Sequence, residues 1–147
     1  MINKRYCLKF FKRGSRTKMY GPHLMLDCYE CDRKALDDLN TAYGFLDKLP
    51  EKIRMTKITK PYIFRYEGTK PIDRGITGVV IIAESHISIH TYPEKNYVTI
   101  DVYSCKDFEP EIAVNFVKEV FKPKEINKKF LYRGKKEITI PALKSLR

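Results

Sequence analysis

Between Gly75 and Cys105 the chain reads GITGVVIIAESHISIHTYPEKNYVTIDVYSC, gathering Glu84, Ser85, His86, Ser88, His90, Glu94 and Cys105 among apolar, β-branched residues. Hydroxyls, imidazoles, carboxylates and a thiol are the materials of nucleophilic and acid–base catalysis. Polar groups beside a core must also find partners, so the same residues can instead form the solvated face of a sheet. Spacing alone leaves both readings open. A Ser-His or Cys-His hydrolase is a third, although the nucleophile elbow G-x-S-x-G is absent from the chain.

Such groups need elements to hold them. Residues 76–83 (ITGVVIIA) have the composition of a buried strand. In 86–91, His86, Ser88 and His90 share one parity and Ile87 and Ile89 the other; in 97–104, Val98, Ile100 and Val102 alternate with Thr99 and Asp101. These two runs flank Pro93-Glu94-Lys95-Asn96 and predict a hairpin. Upstream, 22–29 reads as a strand entering the core. Asp32 is placed to cap a helix with Leu36, Leu39, Tyr43, Leu46 and Leu49 on its apolar face, and Pro50 is expected to end that helix. Residues 53–66 read as one or two extended strands broken near Pro61, and 67–75 as a loop. Residues 109–121 predict a second amphipathic helix with Pro110 in its first turn and Ile112, Phe116, Val117 and Val120 as its stripe. Late strands are expected at 125–133 and 137–140. Helices recurring between groups of hairpin strands predict an α+β fold: a two-layer α/β sandwich with a mainly antiparallel sheet and helices packed on one face.

The 147 residues fit one domain, with 43% hydrophobic and 32% charged residues arguing against disorder. The net charge of +11 invites a polyanion partner, but its distribution matters more than its size. Residues 1–20 carry seven basic and no acidic side chains, 118–147 carry ten basic and three acidic, and 21–117 carry 12 basic against 15 acidic. The stretch with the chemistry is therefore the acidic part. Residues 1–20 are expected to form a basic, flexible extension rather than a transit peptide, ahead of a single domain spanning 21–147.

No apolar run approaches the ~20 residues of a membrane span, and the basic start lacks the apolar stretch of a secretory signal. A reducing, cytoplasmic setting with free thiols is expected for Cys7, Cys28, Cys31 and Cys105. Cys28 and Cys31 form a lone C-x-x-C; with only His23 nearby in sequence, no metal site is predicted.

The run A-E-S-H-I-S-I-H-T-Y-P-E, preceded by G-I-T-G-V-V and followed by Cys105 fifteen residues after His90, resembles the bacterial and archaeal S-adenosylmethionine decarboxylase proenzymes. G-P-H-L-M-L-D-C-Y-E-C-D at 21–32 extends the resemblance, which covers roughly 21–125. It implies a proenzyme that cuts itself between Glu84 and Ser85. The serine hydroxyl attacks the preceding carbonyl, converting the amide to an ester; β-elimination and loss of ammonia then leave a pyruvoyl group where Ser85 stood, at the head of a chain 85–147 separated from 1–84. That covalent cofactor would take the substrate amine as a Schiff base and serve as the electron sink for loss of CO₂.

By the same resemblance His90 assists processing, Thr77 stands where a participating serine is frequent, and Cys105 returns a proton to the product. Glu94 contacts substrate, Tyr92 stands beside the adenine, and Asp27 occupies the acidic position of G-x-H-x-x-x-[ED]. The implied product is decarboxylated S-adenosylmethionine, the aminopropyl donor for spermidine and other polyamines, made by a homodimer with active sites at its interface.

The loop 70–75 (KPIDRG) departs from the family in lacking an aromatic; a stacking partner for adenine would come from Tyr62, Phe64 or Tyr66. Asp73 and Arg74 in that loop keep a second substrate class open, a basic amino acid such as arginine or ornithine, with Asp73 as a substrate contact. From a different class, the terminal charges would suit a nucleic-acid-binding module, against which stands the absence of an RRM or KH signature.

Overall fold

The computed structural model describes residues 21–134. The expected extension at 1–20 and late strand at 137–140 lie outside the described residues. The elements are β1 (Gly21–Tyr29), α1 (Arg33–Leu36), α2 (Leu39–Lys52), β2 (Tyr62–Tyr66), β3 (Gly75–Ile82), β4 (Ser85–Tyr92), β5 (Tyr97–Tyr103), α3 (Pro110–Phe121) and β6 (Glu125–Arg133). Short 3₁₀ turns at Pro71–Asp73 and Pro93–Lys95 flank the β3–β4 hairpin at its open end.

The six strands form one antiparallel sheet in the order β2-β3-β4-β5-β1-β6. Alternation divides it into two faces. Leu24, Leu26, Val80, Ile82, Ile87, Ile89, Val98, Ile100 and Val102 point to one side and form the core with Leu36, Phe45, Leu46, Leu49, Phe116, Val117 and Phe121 of the helices. The predicted two-layer α+β sandwich is therefore the observed architecture. The opposite face carries rows of facing residues, among them Phe64, Thr77, His90, Thr99 and Asp27 across five successive strands.

Several local expectations are corrected. The first helix is two: Asp32 caps α1 through Lys34 N (3.0 Å), and Asp38 caps α2 through Asn40 N and Thr41 N (3.2 and 2.9 Å). A second cap restarts the helix and resets its phase, so Ala42, Phe45, Leu46 and Leu49 are buried while Leu39 is exposed and Tyr43 only half-buried. Pro50 does not end α2, which runs on to Lys52. In the last turn proline costs only one ladder bond, and its ring is buried. In α3 the stripe is rotated, with Ala113, Val114, Phe116, Val117 and Phe121 buried and Ile112 exposed. Of 53–66, only Tyr62–Tyr66 is a strand; the preceding residues touch the far end of β3 through an isolated Lys57–Ile82 bridge.

Two glycines set close approaches. A Cβ on Gly78 would meet Leu46 Cδ1 at 2.7 Å, so its absence lets α2 settle onto β3. A Cβ on Gly75 would lie 1.9 Å from the Thr91 carbonyl oxygen, fixing the start of β3 against the end of β4.

Candidate active site

The hairpin β3–β4 positions two separate groups of the predicted residues. At its closed end the turn runs Ala83-Glu84, and Glu84 adopts φ 67, the left-handed region that a residue with a side chain rarely enters. Strain of this kind costs on the order of 1–3 kcal/mol and persists only where the surroundings enforce it. Ser85 opens β4, and its Oγ is buried without a hydrogen-bond partner. Cys105, just beyond β5, donates its Sγ–H to the Glu84 carbonyl oxygen at 2.9 Å. Cys105 is exposed, yet partial desolvation of its Sγ against the turn, and then the nearby Glu84 charge, push the thiol above its ordinary range and keep it protonated near neutrality. Glu84, Ser85 and Cys105 are thus one cluster: a hydroxyl with no competing partner, a strained peptide carbonyl, and a proton donor on that carbonyl.

The second group lies at the open end. Thr77 Oγ1 and His90 Nδ1 are 3.1 Å apart across the β3–β4 pair. They line a cleft of about 360 Å³ together with Tyr66, Asp73, Gly75, Thr91 and Tyr92. Tyr92 stacks on Tyr97 (centroids 5.6 Å), and Tyr97 stacks on Tyr29 (5.0 Å). The Tyr97 hydroxyl donates to Asp27 Oδ1 at 2.8 Å; burial and this bond raise the Tyr97 hydroxyl above its usual range. Asp27 is therefore placed two strands away from His90 on the same face, with a tyrosine as its partner. Asp73 sits 3.9 Å from Lys95 Nζ, and Glu94 is held between Arg33 (2.6 Å) and Arg74 (3.1 Å).

Ser85 and Thr77–His90 are not brought together within the chain. His90 lies five residue steps along the strand from Ser85, roughly 16 Å at ~3.3 Å per residue. The spacing is odd, so the two side chains also leave β4 on opposite faces.

Of the aromatics expected to replace the missing loop residue, Tyr66 lines the cleft; Tyr62 and Phe64 share its face and are more than half exposed. The period-two run Tyr62, Phe64, Tyr66 was the available signal. Sequence reasoning missed Arg33, Asp37, Arg65 and Tyr97, whose roles depend on contacts far apart in the chain. Cys28 and Cys31 are both buried, and the Cys31 thiol is 3.5 Å from the Cys28 carbonyl oxygen. Among the described residues no three or more His, Cys, Asp or Glu side chains are grouped to hold a metal ion.

Residues 22–134 match the family model of S-adenosylmethionine decarboxylase. An S-adenosylmethionine decarboxylase proenzyme 2 of Bacillus cereus is 36% identical over 121 residues, covering 81% of this chain and 93% of that protein. The proenzyme of Pyrococcus furiosus is 37% identical over 119 residues, covering 80% of this chain and 81% of that one. The crystal structure of the adenosylmethionine decarboxylase from Aquifex aeolicus superposes with a TM-score of 0.70 at 32% identity, covering 84% of this chain and 98% of that one. With the matched residues reaching from the start of β1 to the end of β6, this chain belongs to the S-adenosylmethionine decarboxylase family.

Proposed function

We propose that this chain is a self-processing, pyruvoyl-dependent S-adenosylmethionine decarboxylase, a carboxy-lyase acting as a homodimer in the cytoplasm and supplying decarboxylated S-adenosylmethionine for polyamine synthesis. The observation that carries this reading is the turn at Glu84–Ser85. The buried, unpartnered Ser85 Oγ is adjacent to the strained Glu84 carbonyl, whose oxygen accepts from the Cys105 thiol at 2.9 Å.

In the cut, Ser85 Oγ attacks the Glu84 carbonyl carbon. The peptide nitrogen leaves as an amine and an ester replaces the amide; β-elimination then breaks the Ser85 Cβ–O bond, and the serine oxygen departs in the new Glu84 carboxylate as the two segments separate. Negative charge develops on the carbonyl oxygen, where the thiol hydrogen already points, so the donor needs no reorganisation. Relief of the left-handed Glu84 conformation favours opening of the turn. A base must take the serine proton, and the Thr77–His90 pair is the hydroxyl–imidazole unit suited to relay it.

The residues at the turn fit a pyruvoyl group: the Ser85 oxygen that would be lost serves no hydrogen bond in the fold, and the thiol beside it is held protonated. Such a group supplies an electrophilic carbonyl for the substrate amine and an electron sink for departure of CO₂. Cys105 then returns a proton to the product carbon, which requires the thiol form that partial desolvation and the Glu84 charge favour. Tyr92 and Tyr66 offer flat faces for a purine, and Glu94 offers a carboxylate for hydroxyl groups of the sugar.

Because Ser85 and His90 lie roughly 16 Å apart along one strand, a complete site calls for a second copy. A two-fold axis that lays the closed end of one hairpin against the open end of its partner's would pair Ser85 and Cys105 of one protomer with Thr77 and His90 of the other.

A basic amino acid as substrate finds less support. Arg74 is already committed to Asp37 and Glu94, which leaves the 70–75 loop with only Asp73 as a charge toward the cleft. Release of labelled CO₂ from S-adenosylmethionine, arginine and ornithine, measured side by side, tests the substrate. A denaturing gel and mass spectrometry test processing, with fragments of residues 1–84 and 85–147 expected. A single uncut chain, with no CO₂ released from S-adenosylmethionine, would refute the proposal.

A further inference from the structure

Beside the cleft, five charged side chains make one continuous series of contacts. Arg65 of β2 grips Asp37 twice: Nη1 contacts Oδ1, and Nη2 donates to the Asp37 backbone carbonyl at 2.6 Å. Asp37 occupies the break between α1 and α2. Its other oxygen, Oδ2, accepts from Arg74 Nη2 at 2.9 Å. The Nε of the same guanidinium is buried and lies 3.1 Å from Glu94 Oε1, as an ion-pair contact off the line of a hydrogen bond. Arg33 Nη2 then contacts both Glu94 oxygens at 2.6 Å.

The two arginines on Glu94 are not equivalent. The Arg33 side chain is 57% exposed, where solvent screens an ion pair and side-chain entropy opposes it. Arg74 is 32% exposed, and its planar guanidinium is anchored through Nη2 by Asp37, which holds the adjoining Nε toward Glu94. Flanked by two guanidinium groups, the Glu94 charge is also compensated. That environment suits a carboxylate that accepts from neutral hydroxyls better than one that must attract a cation.

We propose that Arg74 is a positioning residue for substrate recognition: anchored by Asp37, it holds the Glu94 carboxylate in the orientation that meets the hydroxyl groups of the substrate. This rests on the reading of Glu94 as a substrate contact given above. The Arg74–Glu94 contact touches neither the Glu84 carbonyl nor the Cys105 thiol, so recognition and self-cleavage separate experimentally.

The test compares wild type, Arg74→Met, Arg74→Lys, Glu94→Gln and the Arg74→Met/Glu94→Gln double variant. The extent of cleavage and the kcat and KM for S-adenosylmethionine are measured for each. Cleavage is expected to be complete in all of them. Arg74→Met should raise KM about tenfold with kcat changed less than about twofold, the loss typical of a charge-assisted contact. Arg74→Lys should recover part of the KM, because a lysine keeps the charge but cannot meet Asp37 and Glu94 through two nitrogens of one rigid plane. The double variant should be no worse than Glu94→Gln alone, because Arg74 acts through Glu94.

An unchanged KM in Arg74→Met overturns the proposal, as do effects that multiply in the double variant. A fall in kcat or in cleavage at constant KM marks Arg74 as merely structural and overturns it too. If Glu94→Gln leaves KM unchanged, the substrate contact of Glu94 and the role of Arg74 fall together; if Glu94→Gln raises KM and Arg74→Met does not, only Arg74 falls. Failure of the decarboxylase reading would show separately, as a wild-type protein that releases no CO₂.

Discussion

If Ser85 and His90 act on one another only across a dimer, two inactive variants should repair each other. Ser85→Ala has no nucleophile to cut, and His90→Ala lacks the imidazole paired with Thr77 at 3.1 Å. Within a chain the two positions are roughly 16 Å apart, against the ~3 Å a proton transfer requires, and no rotamer closes that gap. In a mixed dimer one site draws its serine from the His90→Ala chain and its histidine from the Ser85→Ala chain, so it is intact, while the other site lacks both. With equal co-expression and random pairing, half the dimers are mixed and about one quarter of all sites are restored. The assay is a denaturing gel of co-expressed chains carrying different tags. About half of the His90→Ala chains should be cut, and none of the Ser85→Ala chains. Co-expression that leaves the His90→Ala chain as uncut as it is alone would refute the cross-protomer site. Full cleavage of His90→Ala by itself would remove His90 from processing altogether.

Three further outcomes are expected. Cys105→Ala removes the donor 2.9 Å from the Glu84 carbonyl oxygen, so self-cleavage should slow by about tenfold, less than the loss of a backbone or amide donor because a thiol donates weakly; time-resolved gels of freshly synthesised protein would measure it. The buried thiols of Cys28 and Cys31 are pushed from 9.0 up to about 12 and about 11, mainly by burial, so they stay neutral in the fold where the unfolded chain ionises. Their contribution is intact below pH 9 and is lost as pH rises from there through the folded values, on the order of a few kcal/mol in all. Urea midpoints should fall over that range, and fall less steeply in Cys28→Ala/Cys31→Ala. Finally, Gly78→Val should clash with Leu46 and cost about 1–3 kcal/mol, whereas Gly44→Ala inside α2, where an added Cβ meets nothing within 4 Å, should stabilise by about 0.5–1 kcal/mol; thermal melts of the two variants should shift in opposite directions.

Seven charged side chains beside the cleft are engaged with one another, in the Arg65–Asp37–Arg74–Glu94–Arg33 series and in the weaker Asp73–Lys95 pair. The net charge of +11 is therefore a poor guide to the site, where local pairing sets the electrostatics.

What the sequence determined by itself was mostly what repeats with a local period or depends on a local bond. Alternation in 86–91 and 97–104 assigned Ile87, Ile89, Val98, Ile100 and Val102 to the core and His86, Ser88 and His90 to the other face, and the sheet has them there. The family resemblance carried by the A-E-S-H run and by Cys105 fifteen residues after His90 pointed to Glu84, Ser85 and Cys105, which meet at the hairpin turn and the adjoining end of β5. Periodicity served less well where a second local signal competed. Asp37-Asp38 hid a helix break, because a run of leucines at helical spacing looks the same with or without a new cap inside it. Pro50 looked like a stop because proline lacks an N–H and crowds the preceding turn, yet α2 continues two residues beyond it to Lys52.

Tertiary structure alone decided which candidates can act together. Ser85 and His90 are five residues apart in sequence and look like partners, yet an extended strand keeps them apart and on opposite faces. Arg33, Asp37, Arg65, Arg74 and Glu94 are scattered over 62 positions and look like separate surface charges, yet packing α1, β2 and two 3₁₀ turns around one end of the sheet joins them. Sequence spacing measures distance along the chain, whereas catalysis and ion pairing depend on distance through space; only folding converts one into the other.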